Sequence, residues 1–170
     1  MYQFRVFAKI KNMKLFIKFL FLLPFISFSN IIWAIPPAEY EFKNFNDGLK
    51  ISQNTNKPIF LLFGFNKCTA CNMLYNRAFK DTKLKEYLKS NFVLVYVSIL
   101  SENEPDFYQL SNGTTMTNKE LVKFFKVESV PIWIWLSPSG QILASDKGGN
   151  TIPREFYMIG DKALKKLTNQ

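Results

Sequence analysis

The sequence predicts an α/β domain built on a mixed sheet that is flanked by helices. Two continuous apolar runs, at 58–65 and 92–99, are typical of strands that are buried on both faces. A third apolar segment at 132–136 is joined to a fourth, at 141–145, by the turn-forming residues 137–140, which predicts an antiparallel hairpin. The chain has 170 residues, enough for one domain with a substantial core.

Helices are expected before, between and after these strands. Residues 46–53 form a weak helix candidate ahead of the first strand. After that strand, the helical spacing of apolar residues begins at Thr69, and Asp81 or Thr82 can cap a second short helix that continues through Lys89. Because helices separate the first three strands, we expect crossover connections that make these three strands parallel, and the final hairpin adds an antiparallel edge.

The second half of the chain contains a long polar connection and two further helices. Residues 101–116 are expected to form a loop, since they carry turn-forming residues and no clear periodicity. The segment 117–120 reads Thr-Asn-Lys-Glu, a capping box that predicts a short helix after it. Pro153 is expected to begin the last helix. The inner stripe of this helix is Phe156, Ile159, Ala163, Leu164 and Leu167.

Charge and composition exclude several classes of function. The net charge is +9, but residues 1–34 carry five basic side chains and no acid, so the remainder is only mildly basic. That remainder has the charge balance of an ordinary surface and no nucleic-acid-binding motif, so we expect no nucleic-acid partner. The chain has no histidine, which excludes Ser-His-Asp and Cys-His catalysis and most zinc and copper sites. We therefore expect no metal and no cofactor.

The N-terminal segment has the pattern of a secretory signal. Basic residues are followed by the apolar run 19–26 and then by small residues. We expect a signal peptide over 1–34 that is cleaved after Ala34, with Ser29 as the second choice, and a mature domain over 35–170. Met13 is an alternative start. The protein would then be exported, to the periplasm if the source is a Gram-negative bacterium, with no stable membrane span after cleavage. An uncleaved N-terminal anchor is the alternative.

The chemistry is expected at the only two cysteines, Cys68 and Cys71, which stand where the first strand gives way to a helix. A thiol at a helix N-terminus lies near unpaired backbone amides and the positive end of the helix dipole, and both favour the thiolate. Lys67 adds a neighbouring cation, while Thr69 and Ala70 separate the pair. We expect Cys68 to be the accessible, attacking thiolate and Cys71, one turn deeper, to be the shielded resolving thiol.

Three other interpretations of the cysteine pair compete with this one. A structural disulfide that closes so short a loop would contribute only about 2 kcal/mol on the chain-entropy account. A metal site would have two sulfur ligands and no histidine, so carboxylates or a second chain would have to complete it. A pair of reduced core cysteines fits poorly with an exported chain. The position of the pair at a strand-to-helix junction therefore favours redox chemistry.

These features together resemble the thioredoxin-like superfamily. The similarity covers roughly residues 40–168, and the stretch from the CxxC through 91–93 looks most like the SoxW type and the C-terminal domain of DsbD-type reductases. The resemblance implies a thioredoxin-like fold in which Cys68 is the nucleophile and Cys71 resolves the mixed disulfide. It also implies that Pro131 is a cis-proline facing the motif and that the Val130 backbone pairs with the bound substrate segment.

The sequence departs from thioredoxins at two places near the motif. Lys67 replaces the aromatic residue that thioredoxins carry before the first cysteine, and Leu62 stands about where they bury a carboxylate. Tyr75 replaces the carboxylate that DsbD-type domains often place one turn beyond the second cysteine. The resemblance predicts an exported thiol–disulfide oxidoreductase that acts on protein thiols and disulfides with a redox partner protein, slightly favouring a reductant-side role. A non-catalytic binding or chaperone module with an incidental disulfide is the alternative.

Overall fold

The computed structural model describes residues 34–100, 107–110, 112–146, 148 and 151–169. The signal peptide expected over 1–34 lies outside these residues except for Ala34 and stays a prediction. None of the described helices has the length and apolar character needed to cross a membrane.

The elements in chain order are a 3₁₀ turn (Ala38–Tyr40), α1 (Phe45–Thr55), β1 (Ile59–Gly64), α2 (Thr69–Arg77), α3 (Thr82–Asn91), β2 (Val93–Ser98), β3 (Tyr108–Gln109), β4 (Thr115–Met116), α4 (Asn118–Phe124), β5 (Ile132–Leu136), β6 (Ile142–Asp146) and α5 (Pro153–Thr168).

The main sheet has four strands in the order β2-β1-β5-β6, and it combines parallel and antiparallel pairs as predicted. β1 pairs with β2 in parallel, and β5 pairs antiparallel with both β1 and β6. The prediction that the first three strands are parallel was therefore wrong for β5. Phe63, near the end of β1, pairs with Val97, near the end of β2, and with Ile132, the first residue of β5. The connection from β2 to β5 therefore begins and ends at the same end of the strands, which makes β5 antiparallel to β1.

Alternate side chains of β1 enter two separate hydrophobic clusters, because successive residues of a strand point to opposite faces. Phe60 and Leu62 belong to a cluster that also holds Cys71 and the inner residues of α2, α3 and α5. Ile59, Leu61 and Phe63 belong to a second cluster, with the inner residues of α1 and α4. Every residue of β1 is buried, as the continuous apolar run predicted. The CxxC helix thus packs on the same face of the sheet as α5.

Local signals set the start of most helices. The side chain of Asp81 accepts the Leu84 N–H at 2.9 Å and caps α3, which confirms one of the two predicted caps. Thr117 and Glu120 form the predicted capping box at the start of α4. The helix predicted over 46–53 is longer, because Asn44 caps it one residue before Phe45 and accepts the Asp47 N–H at 2.9 Å. Pro153 is the first residue of α5, as expected.

Part of the segment 101–116 forms strands where a loop was predicted. Within its described residues, Tyr108 pairs with Met116 and Gln109 with Thr115 in a two-stranded antiparallel ladder. The side chain of Asn46 on α1 holds this segment, since its oxygen accepts the Gln109 N–H at 2.9 Å and its amide donates to the Phe107 carbonyl at 3.0 Å. Contacts more than 60 residues apart in sequence fix the ladder, so local periodicity did not predict it.

Candidate active site

Cys68 is the N-cap residue of α2, directly after the turn that follows β1. Its backbone is extended, with φ −86° and ψ 104°, and its N–H donates to the Phe65 carbonyl at 3.2 Å. The Cys68 sulfur accepts the backbone N–H of Cys71 at 3.0 Å, and the Cys68 carbonyl accepts the N–H of Asn72. The sulfur therefore occupies the place of an N-cap oxygen and meets an otherwise unpaired amide of the first helical turn.

The two cysteines are joined as a disulfide, with an S–S distance of 2.12 Å and a Cα–Cα distance of 5.2 Å. Cys71 has no exposed surface, so its sulfur is shielded. Cys68 is only 4% exposed, so the expectation of an accessible attacking sulfur is not met in this oxidised form. The reason is geometric, because the Cys68 sulfur is bonded to the buried Cys71 sulfur and also lies 3.9 Å from the Val130 carbonyl oxygen.

The fold brings Val130 and Pro131 to the cysteine pair, although 62 residues separate Cys68 from Val130 in the chain. The Cys68 sulfur lies 3.9 Å from the Val130 carbonyl oxygen, and the Val130–Pro131 peptide bond is cis. Pro131 is buried and Val130 is half-buried. The antiparallel β1–β5 pair causes this meeting, because it places the start of β5 beside the end of β1.

Three residues expected to modulate the cysteines, Lys67, Thr69 and Ala70, are all exposed on the rim of the motif. Lys67 also borders a cleft of about 250 Å³. The residues lining this cleft are Phe65, Asn66, Lys67, Ser98 and Leu100. Leu100 is 67% exposed, so the cleft offers an apolar surface beside the CxxC as well as a positive charge. Among the described residues, no three acidic or cysteine side chains cluster in a way that could hold a metal ion.

Gly148 supports the Pro131 segment, a role that the sequence reasoning missed. Its φ is +78°, and a Cβ built on it would lie 1.7 Å from the carbonyl oxygen of Pro131. Its N–H donates to the Asp146 side chain at 3.1 Å. Only glycine allows both this left-handed backbone and this close approach. The sequence signal was the pair at 148–149, which marked a break in the chain but gave no sign of its neighbour.

We expect Gly148→Ala to displace the Pro131 carbonyl. The backbone around Pro131 should therefore be perturbed more than other parts of the fold. The variant should lose more than about 1 kcal/mol of unfolding free energy, because alanine is strained at positive φ and its methyl group meets backbone. Denaturant unfolding measures this loss. The matched control is Gly113→Ala, since Gly113 also has a positive φ, of 84°, but has nothing within 4 Å of its added Cβ. Equal losses in the two variants would show that backbone strain alone matters.

The surroundings of Cys71 contain tyrosines and no buried acid. Among the described residues, no aspartate, glutamate, lysine or arginine is buried, and Leu62 fills the place where the resemblance suggested an acid. Tyr75 is 6% exposed and lies one turn after Cys71. Burial, with a smaller contribution from Tyr96, raises the pKa of Tyr75 well above its usual range, so its phenol keeps its proton. Tyr96 lies beside Leu62 in the β1–β2 pair.

Comparison with known proteins decides the family of this chain. The sequence model of a thioredoxin-like domain matches residues 45–163, which is more than half of the chain. The chain belongs to the thioredoxin-like family. The match contains the CxxC, the cis-proline segment and all strands of the main sheet.

Other thioredoxin-like proteins share the fold at low identity. The DsbH oxidoreductase superposes with a TM-score of 0.59 at 20% identity, covering 80% of this chain and 89% of that one. A thioredoxin from Thermus thermophilus gives a TM-score of 0.53 at 19% identity, with 75% and 84% covered. Spermatogenesis-associated protein 20 of Rattus norvegicus is 31% identical over 108 residues, 61% of this chain, and the match spans 12% of that protein. The structural similarity shows a common fold.

Proposed function

We propose that this protein is an exported thiol–disulfide oxidoreductase that exchanges disulfides with protein substrates, with a reductant-side role favoured. The observation that carries the proposal is the position of the Cys68 sulfur at the N-cap of α2. There it accepts the Cys71 amide at 3.0 Å and faces the Val130 carbonyl at 3.9 Å. An amide directed at the sulfur stabilises a thiolate, which is the reactive form in disulfide exchange. Such an arrangement serves chemistry more than stability, because so short a loop gains little from a cross-link.

The reductive cycle begins with the dithiol form. The Cys68 thiolate attacks one sulfur of the partner disulfide, a mixed disulfide forms, and the other partner sulfur leaves as a thiolate that takes up a proton. Cys71, once deprotonated, attacks the Cys68 sulfur and releases the second partner sulfur as a thiolate. The partner gains two electrons and the protein returns to its disulfide. A dithiol protein must then reduce the Cys68–Cys71 bond by the same steps in reverse.

The substrate segment is proposed to bind beside Val130 and Pro131. Val130 is half-buried and its carbonyl already lies near the Cys68 sulfur, so an extended peptide pairing with this backbone would bring its own sulfur to Cys68. The cleft beside Lys67 and Leu100 offers additional contact area for a protein partner. Export is supported by the basic and apolar pattern of 1–34, and the reductant role by the resemblance to DsbD-type domains.

A binding module with an unreactive disulfide is the second candidate, and the low exposure of Cys68 favours it. A sulfur that is 4% exposed must become more open before a protein disulfide reaches it. Reduction of the Cys68–Cys71 bond frees the two sulfurs from each other. The two candidates therefore differ in the reactivity of the reduced protein.

Alkylation against pH separates these candidates. With Cys71→Ser, which leaves Cys68 as the sole thiol, the rate of reaction with iodoacetamide should rise with a midpoint below pH 8. The same variant unfolded in urea is the control and should show a midpoint at about 8.5. A folded midpoint at or above that of the unfolded chain, or no reaction while the protein is folded, would support the binding module. Cys68→Ser should leave a much slower thiol, because Cys71 is completely buried.

A further inference from the structure

A small space behind Cys71 is bordered by a phenol oxygen. Gly64 ends β1 and has no side chain, and a Cβ built on it would lie 3.4 Å from the Cys71 sulfur and 3.3 Å from the Tyr96 hydroxyl oxygen. The Tyr96 ring carbon Cε2 is nearer still, at 3.1 Å, so the two polar atoms border one narrow gap at Gly64 in which a methyl group would press on Tyr96. The Tyr96 oxygen is buried, although its ring is only half-buried.

Tyr75, one helical turn after Cys71, is the second phenol near the Cys71 sulfur. Its hydroxyl is buried and has no hydrogen-bond partner among the described residues. Tyr96 contributes to the raised pKa of Tyr75, so the two phenols are electrostatic neighbours. Burying an unpaired hydroxyl costs free energy. A nearby group that becomes negatively charged when the disulfide opens would accept a hydrogen bond from the Tyr75 hydroxyl. The Cys71 thiolate is such a group.

Tyr96 also reaches solvent. It lines a surface groove of about 320 Å³ together with residues 35–38 and 41–44. The charged groups in this groove are Glu41 and Lys43, and both are exposed. β1 and β5 carry no titratable side chain, and α2 and β2 supply only the Tyr75 and Tyr96 phenols to the cluster that holds Cys71. The other titratable side chains in or against this cluster are Tyr40, Tyr87 and Tyr157. Tyr96 therefore borders both this groove and the gap at Gly64 that the Cys71 sulfur faces.

We propose that Tyr96, assisted by Tyr75, donates a hydrogen bond to the Cys71 sulfur when the disulfide opens and thereby stabilises the Cys71 thiolate. When a partner thiolate attacks the Cys68 sulfur, the electron pair of the broken S–S bond goes to Cys71. The phenol keeps its own proton, and a solvent proton that enters by the groove converts the thiolate to a thiol. In the other direction, Cys71 loses its proton by this route before it attacks Cys68. This inference rests on the proposed function.

A two-step thiol reaction tests the proposal. When the reduced protein is mixed with 5,5′-dithiobis(2-nitrobenzoate), Cys68 releases one coloured thiolate, and Cys71 then attacks the mixed disulfide and releases a second. In Tyr96→Phe, the first phase should stay within about twofold of the wild type. The second phase should be about tenfold slower, with its pH midpoint about one unit higher, the effect of losing a hydrogen bond to a charged group. Tyr75→Phe should show a smaller change of the same kind.

Matched variants distinguish this role from a general loss of packing. Tyr40→Phe removes another buried hydroxyl of the same cluster, one that donates to the Phe79 carbonyl, and should leave both phases unchanged. Gly64→Ala keeps both tyrosines and fills the gap, so it should also slow the second phase, and it carries the test if Tyr96→Phe does not fold. Glu155→Gln should change neither phase. Glu155 is included because one of its carboxylate oxygens is buried without a partner among the described residues.

Several outcomes would overturn the proposal. A second phase in folded Tyr96→Phe that matches the wild type in rate and pH midpoint contradicts it. So does a second phase that depends on Glu155 and not on the tyrosines. If the wild-type protein shows no first phase, the proposed oxidoreductase function fails and this inference fails with it. An intact first phase with an unaltered second phase overturns only the role of the tyrosines.

Discussion

Cys68→Ser is expected to abolish disulfide exchange, and Cys71→Ser is expected to trap the partner as a stable mixed disulfide. A serine hydroxyl cannot replace the thiolate that attacks a disulfide, so turnover of a model protein disulfide should fall at least about a thousandfold in either variant. The variants differ in what accumulates. Cys71→Ser completes the first attack but has no second sulfur, whereas Cys68→Ser presents only a completely buried thiol.

Gel analysis without reductant measures this difference. Cys71→Ser should carry thiol-reversible adducts that are missing from Cys68→Ser and from the double variant. Asn76→Ala, an exposed position on the same helix, is the matched control and should keep turnover within about twofold of the wild type. Adducts that form equally on both single variants would show that the order of the two cysteines is wrong. A full absence of adducts and of turnover would leave the binding module as the better account.

Phe156→Ala is expected to produce the largest loss of stability. Phe156 has no exposed surface and its ring stacks on Trp133 with centroids 4.7 Å apart. It also contacts the rings of Phe60 and Phe79, at 6.1 and 5.8 Å. Truncating a buried phenylalanine costs about 3–5 kcal/mol, because the lost burial is added to the cost of the cavity. A loss of this size is a large part of the total of about 5–15 kcal/mol for typical domains.

Urea unfolding of the oxidised protein measures the loss, with Phe124→Ala as the control. Phe124 is 50% exposed and rests edge-on against Phe125, so its truncation should cost no more than about 1 kcal/mol. Because Phe156 and Cys71 belong to one cluster, the large loss should also make the reduced Cys71 thiol easier to alkylate. Equal stability losses in the two variants would show that this aromatic cluster is not the main support of the site.

The candidate site was predictable where its signals are local. The apolar run of β1 and the cysteine spacing placed Cys68 at a helix start, and the structure has it at the N-cap of α2. These patterns involve only residues within one helical turn or one strand, so they predict local structure without knowledge of the tertiary contacts. The resemblance added Val130 and Pro131, which no local pattern would have joined to a motif more than 60 residues away.

The sequence by itself determined the α/β class, the positions of the helices and of the main-sheet strands, and the place of the cysteine pair at the start of a helix. Apolar periodicity and helix capping depend only on residues that are close together in the sequence, so they can be recognised without the tertiary structure. Only the tertiary structure decided that β5 runs antiparallel to β1, that the 101–116 segment contains a ladder, that Gly148 lies against Pro131, and that Tyr96 faces the gap beside Cys71. Each of these features depends on contacts between residues that are far apart in the sequence. The geometry of those contacts is fixed only when helices pack on both faces of the sheet.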